Sequence, residues 1–311
     1  MANTLNIGIV GAGLGGMTAA VALQRCGFKV TVYEQAPVLG EIGAGITVGP
    51  NINLVLNGLG LEEATEFFAS GSTTFGTIHY QTGEKIRFSE RSIEEAIRTQ
   101  GALTRHMHRA DLHKVLEDAF NKDGDALRLD QTLLDIEQDN KGVVLYFANG
   151  STYQHDVIIG CDGLKSVVRD KLFPTEQPTY TGFMTWRGLV DTADVPDINF
   201  VPHFASYPSE GRMFARYPLR RGRQINWVAN AHRPESIGQE SWNDWTDVGE
   251  VLAHLDDYHE DVLRIIKASP QGRCLRWALH SRKPLDSWVA GRVVLLGDAA
   301  HPMTPFYGMG A

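Results

Sequence analysis

The chain of 311 residues carries 29 basic and 37 acidic side chains, so its net charge is −8 and its isoelectric point lies near 5.8. At about 150 residues per domain, this length predicts roughly two domains, each with a core of its own. The acidic balance argues against general nucleic-acid binding, which needs a basic surface. A composition of 43% hydrophobic and 21% charged residues excludes a disordered or fibrous protein.

A membrane span, a secretion signal and a metal cluster are all unexpected. No run of about 18 apolar residues occurs, and the first ten residues lack the Lys or Arg that begins a signal peptide. The three cysteines are far apart, which argues against a redox pair or a zinc site: Cys26, Cys161 and Cys274. We expect all three to be unreactive core residues of a cytoplasmic protein.

The first 34 residues have the pattern of a βαβ unit. Residues 5–10 form an apolar, β-branched run typical of a buried strand, and Lys29–Tyr33 predicts a second strand. Between them, apolar residues at helical spacing follow a glycine-rich turn and end at Gly27, which suits the left-handed end of a helix. Two strands joined by a helix within about 30 residues predict a parallel sheet.

The turn that opens this helix satisfies the G-x-G-x-x-G pattern with the residues Gly11, Ala12, Gly13, Leu14, Gly15 and Gly16. The glycines permit a tight turn, close approach of a pyrophosphate and close packing of the helix, whose N-terminus attracts phosphate. Glu34 ends the second strand, 18 residues after Gly16, where a carboxylate can bind ribose hydroxyls. The pattern therefore predicts a dinucleotide, and both FAD and NAD are possible.

The remaining elements alternate between β-rich and helical stretches. Hairpins are predicted at 77–88 and at 143–152 onward, helices at Arg109–Phe120 and within 242–268, and strands at Val157–Gly160, 183–190, Arg212–Leu219, 224–230 and 293–296. Pieces of a nucleotide-binding domain thus surround a β-rich insertion.

Two later segments, combined with the first motif, resemble a known family. Residues 160–169 (GCDGLKSVVR) resemble its DG motif, and residues 297–302 (GDAAHP) followed by Pro305 resemble its GD motif. Residues 41–46 (EIGAGI) and the Arg109-x-x-Leu112 helix also match. The family is that of the single-component FAD-dependent aromatic hydroxylases, such as the salicylate, 3-hydroxybenzoate and 6-hydroxynicotinate monooxygenases. Taken singly, Asp162 and Asp298 could simply cap turns at strand ends.

The resemblance implies an α/β fold like that of p-hydroxybenzoate hydroxylase, with a Rossmann-type FAD-binding domain and a β-rich substrate domain. The implied FAD-binding domain is discontinuous (1–73, 102–179 and 276–311), and the substrate domain comprises 74–101 and 180–275. Members of the family continue beyond the position of Ala311 with an Asn-containing helix, so the family's C-terminal part is expected to be absent from this chain.

The resemblance also implies cofactor contacts. Asp298 would accept a bond from a ribitol hydroxyl, Arg109 would contact the pyrophosphate or ribitol, and Asp162 would structure a loop near the flavin and, transiently, the nicotinamide. Backbone N–H groups near residues 308–310 would face the flavin pyrimidine edge. The full predicted set is Gly11, Gly13, Leu14, Gly15, Gly16, Glu34, Gly45, Arg109, Asp162, Gly297, Asp298, Gly308, Met309, Gly310 and Ala311, with no metal.

The substrate is expected between the flavin ring and the β-rich insertion. The candidate residues are Thr47, Trp186, Arg187, Arg216, Tyr217 and Pro305, and an Arg would match a substrate carboxylate. Arg216 could equally be a solvated strand residue, and Tyr217 a packing residue with a tethered hydroxyl. His301 could lie near the flavin or form a structural bond, His106 and His203 are expected to be structural or exposed, and no catalytic base is assigned.

The family's activity implies that NADH or NADPH reduces FAD, and that O2 then forms a C4a-hydroperoxyflavin that hydroxylates an aromatic or N-heteroaromatic hydroxy acid. The lack of a second G-x-G-x-x-G argues against disulfide reductases. Other flavoenzymes of the same fold (an oxidase, an epoxidase or an isoprenoid reductase) and a non-catalytic nucleotide-binding protein are the alternatives. The expected partners are a small aromatic substrate, O2 and NAD(P)H, with no nucleic acid or membrane, and the protein is a monomer or homodimer.

Overall fold

The computed structural model describes residues 4–40, 44–120, 127–173, 176–235, 244–308 and 310. The chain divides into two compact units: a first unit of Met1–Glu41, Leu112–Thr179 and His280–Ala311, and a second unit of Ile42–Asp111 and Tyr180–Leu279. This division gives residues 42–73, 102–111 and 276–279 to the second unit, whereas the sequence assigned them to the FAD-binding domain. Compactness does not decide which residues bind a cofactor, so the domain bounds in that sense stay a prediction.

The helices and strands are taken in chain order. The helices are α1 (Leu14–Arg25), α2 (Pro50–Gly58), α3 (Glu62–Phe68), α4 (Ile93–Gln100), α5 (Arg109–Phe120), α6 (Val167–Leu172), α7 (Val248–His254) and α8 (Glu260–Lys267). The strands are β1 (Asn6–Val10), β2 (Lys29–Tyr33), β3 (Gly45–Val48), β4 (Ser70–Gly71), β5 (Thr74–Ile78), β6 (Lys85–Glu90), β7 (Arg105–His108), β8 (Leu127–Arg128), β9 (Leu133–Gln138), β10 (Val143–Phe147), β11 (Thr152–His155), β12 (Val157–Gly160), β13 (Thr179–Asp191), β14 (Phe204–Ser209), β15 (Arg212–Leu219), β16 (Gln224–His232), β17 (Trp245–Asp247), β18 (Arg273–Ser281), β19 (Val289–Ala290) and β20 (Val293–Leu295).

A six-stranded sheet of order β19-β20-β12-β1-β2-β8 forms the centre of the first unit. All neighbouring pairs are parallel except β19–β20. Since parallel strands end at one edge of a sheet, the segments after β1, β2, β12 and β20 lie together there. The glycine-rich loop, Glu34, Asp162 and Asp298 therefore share one edge, as the βαβ prediction requires.

A smaller antiparallel sheet, β11-β10-β9, completes the first unit. Val143, Leu145 and Phe147 alternate along β10, and all three are buried in a core that they share with Tyr33 and Ile158 of the central sheet. Because side chains alternate between the faces of a strand, this period of two places one face of β10 against the core. The hairpin predicted from residue 143 onward is confirmed.

An eight-stranded sheet of order β17-β18-β13-β16-β15-β14-β5-β6 dominates the second unit. One face carries an apolar core that includes Trp186, Phe214 and Trp227, and α7 and α8 contribute Val251 and Ile265 to it. We call this side the core face and the other side the polar face. The strands predicted from 183 to 230 are confirmed, with β13 and β16 longer than expected.

Some expectations about the elements are wrong. The helical character expected at 242–268 holds for two helices but not for the start of the range, where residues 245–247 form the short strand β17; Asp247 and His259 each accept a backbone N–H bond and so start the two helices. Residues 242 and 243 lie outside the described residues. Cys26 is exposed, since it lies just beyond the end of α1. Within the described part of the chain, no helix has the length and hydrophobicity that a membrane span requires.

Candidate cofactor and substrate sites

The glycine-rich loop after β1 accepts only glycine at two positions. A Cβ atom at Gly11, where φ is +101°, would lie 2.3 Å from the carbonyl oxygen of Cys161, and one at Gly16 would lie 2.0 Å from the carbonyl oxygen of Gly11. Gly13 and Gly15 instead have no heavy atom within 4 Å of the corresponding position. The first turn of α1 is thus close to the sheet and has open space on its outer side.

The N-terminus of α1 is suited to bind phosphate. Gly13 precedes the helix in an extended conformation and provides no side-chain cap. The first backbone N–H groups of a helix lack intrahelical partners, and the helix dipole makes this end positive. The donor set therefore fits the pyrophosphate of a dinucleotide.

Glu34 holds this loop in place. Its Oε2 accepts a bond from the Ala12 N–H at 2.8 Å, and its Oε1 accepts one from the Ala36 N–H at 2.9 Å. Because each carboxylate oxygen has a second lone pair, Glu34 can also accept a bond from a ribose hydroxyl, and that contact stays a prediction. The buried ring of His113 on α5 adds another anchor that sequence reasoning missed, a 2.6 Å bond between Nε2 and the Ala12 carbonyl oxygen.

Asp162 caps the turn after β12. Its carboxylate accepts bonds from the Ser166 hydroxyl and, at 3.1 Å, from the Val168 N–H. Burial raises the pKa of Asp162, and these hydrogen bonds oppose the shift. Ser166 in turn caps α6 by accepting the Arg169 N–H. The turn-capping alternative is thus what the described residues show, and a role near the flavin stays a prediction.

Arg169, the last residue of the DG segment, is a buried link that sequence reasoning missed. Its Nη1 donates to the carbonyl oxygens of Ala299 and Ala300 at 3.2 Å, and its Nη2 donates to the Lys283 carbonyl oxygen at 2.6 Å. The side chain is fully buried. Its signal in the sequence is a cation that directly follows two valines on a short helix. Arg169 thereby joins the DG segment to the GD segment.

The segment after β20 presents its acid outward. Gly297 has a φ of +64° and begins a short turn that leaves Asp298 exposed. His301 packs its ring 4.8 Å from that of Trp288. A second turn, Pro305–Tyr307, ends at Gly308 with a φ of +62°. Gly310 is described, whereas the predicted cofactor contacts at Met309 and Ala311 lie outside the described residues.

Three predicted substrate residues lie together in the second unit. Arg187 on β13 and Tyr217 on β15 are on the polar face of the eight-stranded sheet, and Thr47 on β3 is next to Tyr217. Burial lowers the pKa of Arg187, which Tyr217 raises and Arg109 lowers further. Burial raises the pKa of Tyr217, while Arg187, Thr47 and Asn226 oppose that shift. A neutral phenol thus lies near a partly buried guanidinium.

The ring of His106 on β7 packs against the ring of Tyr217. The two rings stack with centroids 4.5 Å apart, and His106 Nδ1 is 3.2 Å from the Thr47 hydroxyl. Burial lowers the pKa of His106 to about 3, helped by His203, so the ring is neutral. His106 is therefore buried, and its stacking on Tyr217 is a contact that the sequence alone did not indicate.

Gly45 is in contact with the same group. A Cβ atom there would lie 2.8 Å from the Tyr217 ring and 2.7 Å from the side-chain carbonyl carbon of Asn226. The Gly45 N–H donates to Asn226 Oδ1 at 2.7 Å. The structure thus places Gly45 beside a predicted substrate residue, and its predicted contact with the cofactor stays a prediction.

Trp186 and Arg216 lie on the core face, away from Arg187. Trp186 is fully buried in the apolar core. Arg216 is 2% exposed and donates to the carbonyl oxygens of Pro202 at 3.1 Å and Asn199 at 3.2 Å, so it is not a solvated residue. Of the substrate candidates in this unit, only Arg187, Tyr217 and Thr47 are brought together.

The residues of the first unit fit the predicted FAD cofactor. The glycine-rich loop provides donors and space for a pyrophosphate, and the exposed Asp298 lies at the same sheet edge as Glu34. Arg109, in the second unit, starts α5, and its N–H donates to the Ala44 carbonyl oxygen at 2.9 Å. The described ranges contain no group of three or more His, Cys, Asp or Glu residues arranged to bind a metal ion.

Comparisons with known proteins agree with this geometry. A family model for an FAD binding domain matches residues 4–311. The chain is 33% identical to 6-hydroxynicotinate 3-monooxygenase of Pseudomonas fluorescens over all of this chain and 80% of that protein. It is 34% identical to 3-hydroxybenzoate 6-hydroxylase of Klebsiella oxytoca over all of this chain and 77% of that protein.

Solved structures show the same architecture. Klebsiella pneumoniae HpxO complexed with FAD and uric acid is 26% identical with a TM-score of 0.85, and the match covers 98% of this chain and 76% of that one. A salicylate hydroxylase substrate complex is 26% identical with a TM-score of 0.82, and the match covers 100% of this chain and 76% of that one.

Proposed function

The chain belongs to the FAD binding domain family, and from this we propose that it adds one oxygen atom to an aromatic or N-heteroaromatic hydroxy acid, with NADH or NADPH as the reductant and O2 as the oxygen source. Its named relatives support its assignment as a flavoprotein monooxygenase of the aromatic-hydroxylase type. Beyond that assignment, we propose the substrate class, the reductant and the use of O2.

The observation that carries the proposal is the shared sheet edge in the first unit. Four segments from distant parts of the sequence end there, and each has the residue type that the resemblance requires: glycines after β1, Glu34 after β2, Asp162 after β12 and Asp298 after β20. Bound FAD would supply the electron transfer and the activation of O2. The loop and α1 would hold its pyrophosphate, Glu34 a ribose, and Asp298 and Arg109 the ribitol side.

The substrate-facing residues are proposed to be Arg187, Tyr217 and Thr47. The guanidinium of Arg187 matches an anionic oxygen, and the Tyr217 hydroxyl can bond to a ring substituent. The neutral His106 and Thr47 hold the phenol in place rather than supply charge. Pro305, in the first unit, is proposed to face the flavin side of the substrate.

The cytoplasm is the proposed location, because the three cysteines are unpaired, as is usual in a reducing compartment. The oligomeric state, monomer or homodimer, stays a prediction that sedimentation of the FAD-loaded protein would test.

The first test is whether the protein binds FAD and reduces it faster with substrate. We expect a bound-flavin spectrum with two visible bands after FAD is added. Under anaerobic conditions, 3-hydroxybenzoate, 6-hydroxynicotinate or salicylate should accelerate the bleaching of those bands by NADH or NADPH. An oxidase or a reductase of the same fold would be reduced at one rate with and without these acids. Failure to bind FAD in a folded protein would contradict the proposal.

A further inference from the structure

Three nitrogen-bearing side chains lie on the polar face of two neighbouring strands of the eight-stranded sheet; the guanidinium of one of them, Arg187, also stacks 4.7 Å from the ring centroid of Trp277 on β18. Asn226 and Asn230 flank Val228 at two residues on either side along β16, and Arg187 on β13 is the direct cross-strand partner of Val228. Residues two apart on a strand share a face, and a long side chain reaches its diagonal neighbours. We call Arg187, Asn226 and Asn230 the donor cluster.

The oxygen of each amide is already in use. The backbone N–H of Gly45 donates to Asn226 Oδ1 at 2.7 Å, and since a backbone N–H can only donate, the amide orientation of Asn226 is settled. The Thr185 hydroxyl donates to Asn230 Oδ1 at 2.6 Å. Both asparagines therefore present their NH2 groups, which are donors, as their remaining polar ends.

These donors have no acceptor. Nδ2 of Asn226, Nδ2 of Asn230 and Nε of Arg187 are buried, and no residue in the described ranges accepts a hydrogen bond from them. Tyr217, the cross-strand partner of Asn226, brings a hydroxyl near this amide. Native proteins seldom leave buried donors unpaired, so three together indicate a ligand.

The side chains between the members of the donor cluster are smaller than those around them. Val228 on β16 is the cross-strand partner of Ala215 on β15, and both side chains are small. Larger side chains surround this pair, namely Tyr217 and Met213 on β15 and Arg187 on β13. Val228 keeps 8% of its surface exposed and Ala215 keeps 6%, although both asparagines of the cluster are at most 2% exposed. Small side chains with residual exposure thus lie between Tyr217, Met213 and Arg187 on this face.

We propose that the donor cluster binds the carboxylate group of the substrate and selects acids over their amides. A carboxylate offers only acceptors, so it suits three donors, and it matches the charge of Arg187. A carboxamide would direct its own N–H groups at donors. Arg216 is not an alternative, because it lies on the core face and donates to two carbonyl oxygens. The inference rests on the proposed function and names the group by which the substrate is recognised.

The test compares acids with their amides in the FAD-loaded full chain. Dissociation constants are measured by calorimetry for 3-hydroxybenzoate against 3-hydroxybenzamide, 6-hydroxynicotinate against its amide, and salicylate against salicylamide. The variant Asn226→Asp keeps an acceptor for the Gly45 N–H but turns the free donor into a charged acceptor beside Arg187. The expected effect is about tenfold to hundredfold weaker binding of the preferred acid, with little change for its amide.

The control is Asn149→Asp, the same chemical change on an exposed turn of the first unit, which should leave the preference for the acid intact. If Asn226→Asp loses its flavin, Asn230→Asp makes the same test from the other side of Val228. A variant that retains FAD and also the full preference for the acid overturns the inference while the proposed function stands. If the wild-type protein binds FAD but neither binds nor hydroxylates any acid or amide in the panel, the proposed function fails, and the inference with it.

Discussion

Individual carboxylates and histidines in this protein act mainly by holding backbone in place. Glu34 accepts one N–H from the glycine-rich loop and one from Ala36, and Asp162 accepts from Ser166 and Val168. The resemblance implies a cofactor role for both acids. The residues that would touch FAD are thus also those that set the geometry of its site.

Replacing Glu34 by Gln should weaken FAD binding. One amide end would place an NH2 group against the Ala12 or Ala36 N–H, so one anchor of the loop is lost and two donors face each other. We expect a loss of about tenfold or more in FAD affinity, the value of one charge-assisted bond, measured by fluorescence titration of the flavin. Glu63→Gln, an exposed change in the second unit, is the control; equal affinities in the two variants would contradict the role of Glu34.

Two buried histidines predict a loss of stability in mild acid. Burial lowers the pKa of His106 to about 3 and that of His155 to about 4, from an ordinary 6.5, and His155 also shares a 2.8 Å hydrogen bond with Tyr33. Because the folded state resists protonation of both rings, the stabilisation is present above pH 6.5 and falls as the pH drops toward 4 and then 3. Each ring contributes a slope of up to about 1.4 kcal/mol per pH unit.

Urea unfolding at pH 7, 6 and 5 measures that slope. His155→Gln should reduce it by the share of one histidine, whereas His232→Gln, at an exposed position on β16, should leave it unchanged. An unaltered slope in His155→Gln would show that folding does not lower the pKa of this ring.

At the scale of elements, single side chains connect segments that are distant in sequence. Arg169 on α6 donates to carbonyl oxygens that follow β20, about 130 residues later in the chain. The Gly45 N–H at the start of β3 reaches Asn226 on β16 in the same way. Such links join the short elements within each unit, and in the first unit the Arg169 bonds hold the DG segment against the GD segment.

Arg169→Met should destabilise the first unit strongly. The change removes the donors to three carbonyl oxygens in a fully buried place, so we expect a loss of at least about 3 kcal/mol in the free energy of unfolding. The matched control is Lys171→Met on the same helix, whose ion pair with Asp135 is exposed to solvent and should contribute far less to stability. Similar losses in both variants, measured by urea unfolding, would show that the Arg169 bonds carry no special weight.

At the scale of the whole molecule, the sequence predicted the elements that depend on local patterns better than the features that depend on contacts between distant residues. The βαβ unit, α5, the β10–β11 hairpin and the long strands of the second unit follow from hydrophobic period and turn residues. The start of α7 and the start of α8 depend on the N-caps Asp247 and His259. The spacing of polar and apolar residues in this stretch did not indicate where each helix begins.

In the candidate site too, residues within local motifs were predicted and residues with distant partners were not. The resemblance to the hydroxylases pointed to the glycine-rich loop, Glu34, Asp162 and Asp298, because each belongs to a contiguous motif. His106, His113 and Asn226 have no such motif, and their roles depend on partners 59, 101 and 181 residues away. Only the register of the sheets could place Arg187 and Tyr217 on one face and Arg216 on the other.

Transfer of one oxygen atom from O2 to a hydroxylated aromatic acid is the most direct test of function. The FAD-loaded protein would be given NADH or NADPH and 3-hydroxybenzoate, 6-hydroxynicotinate or salicylate under oxygen-18 gas, and the products weighed by mass spectrometry. We predict a product that has gained one heavy oxygen atom from the gas. Consumption of NAD(P)H that yields only labelled hydrogen peroxide, with every acid recovered unchanged, would contradict the assignment as an aromatic hydroxylase.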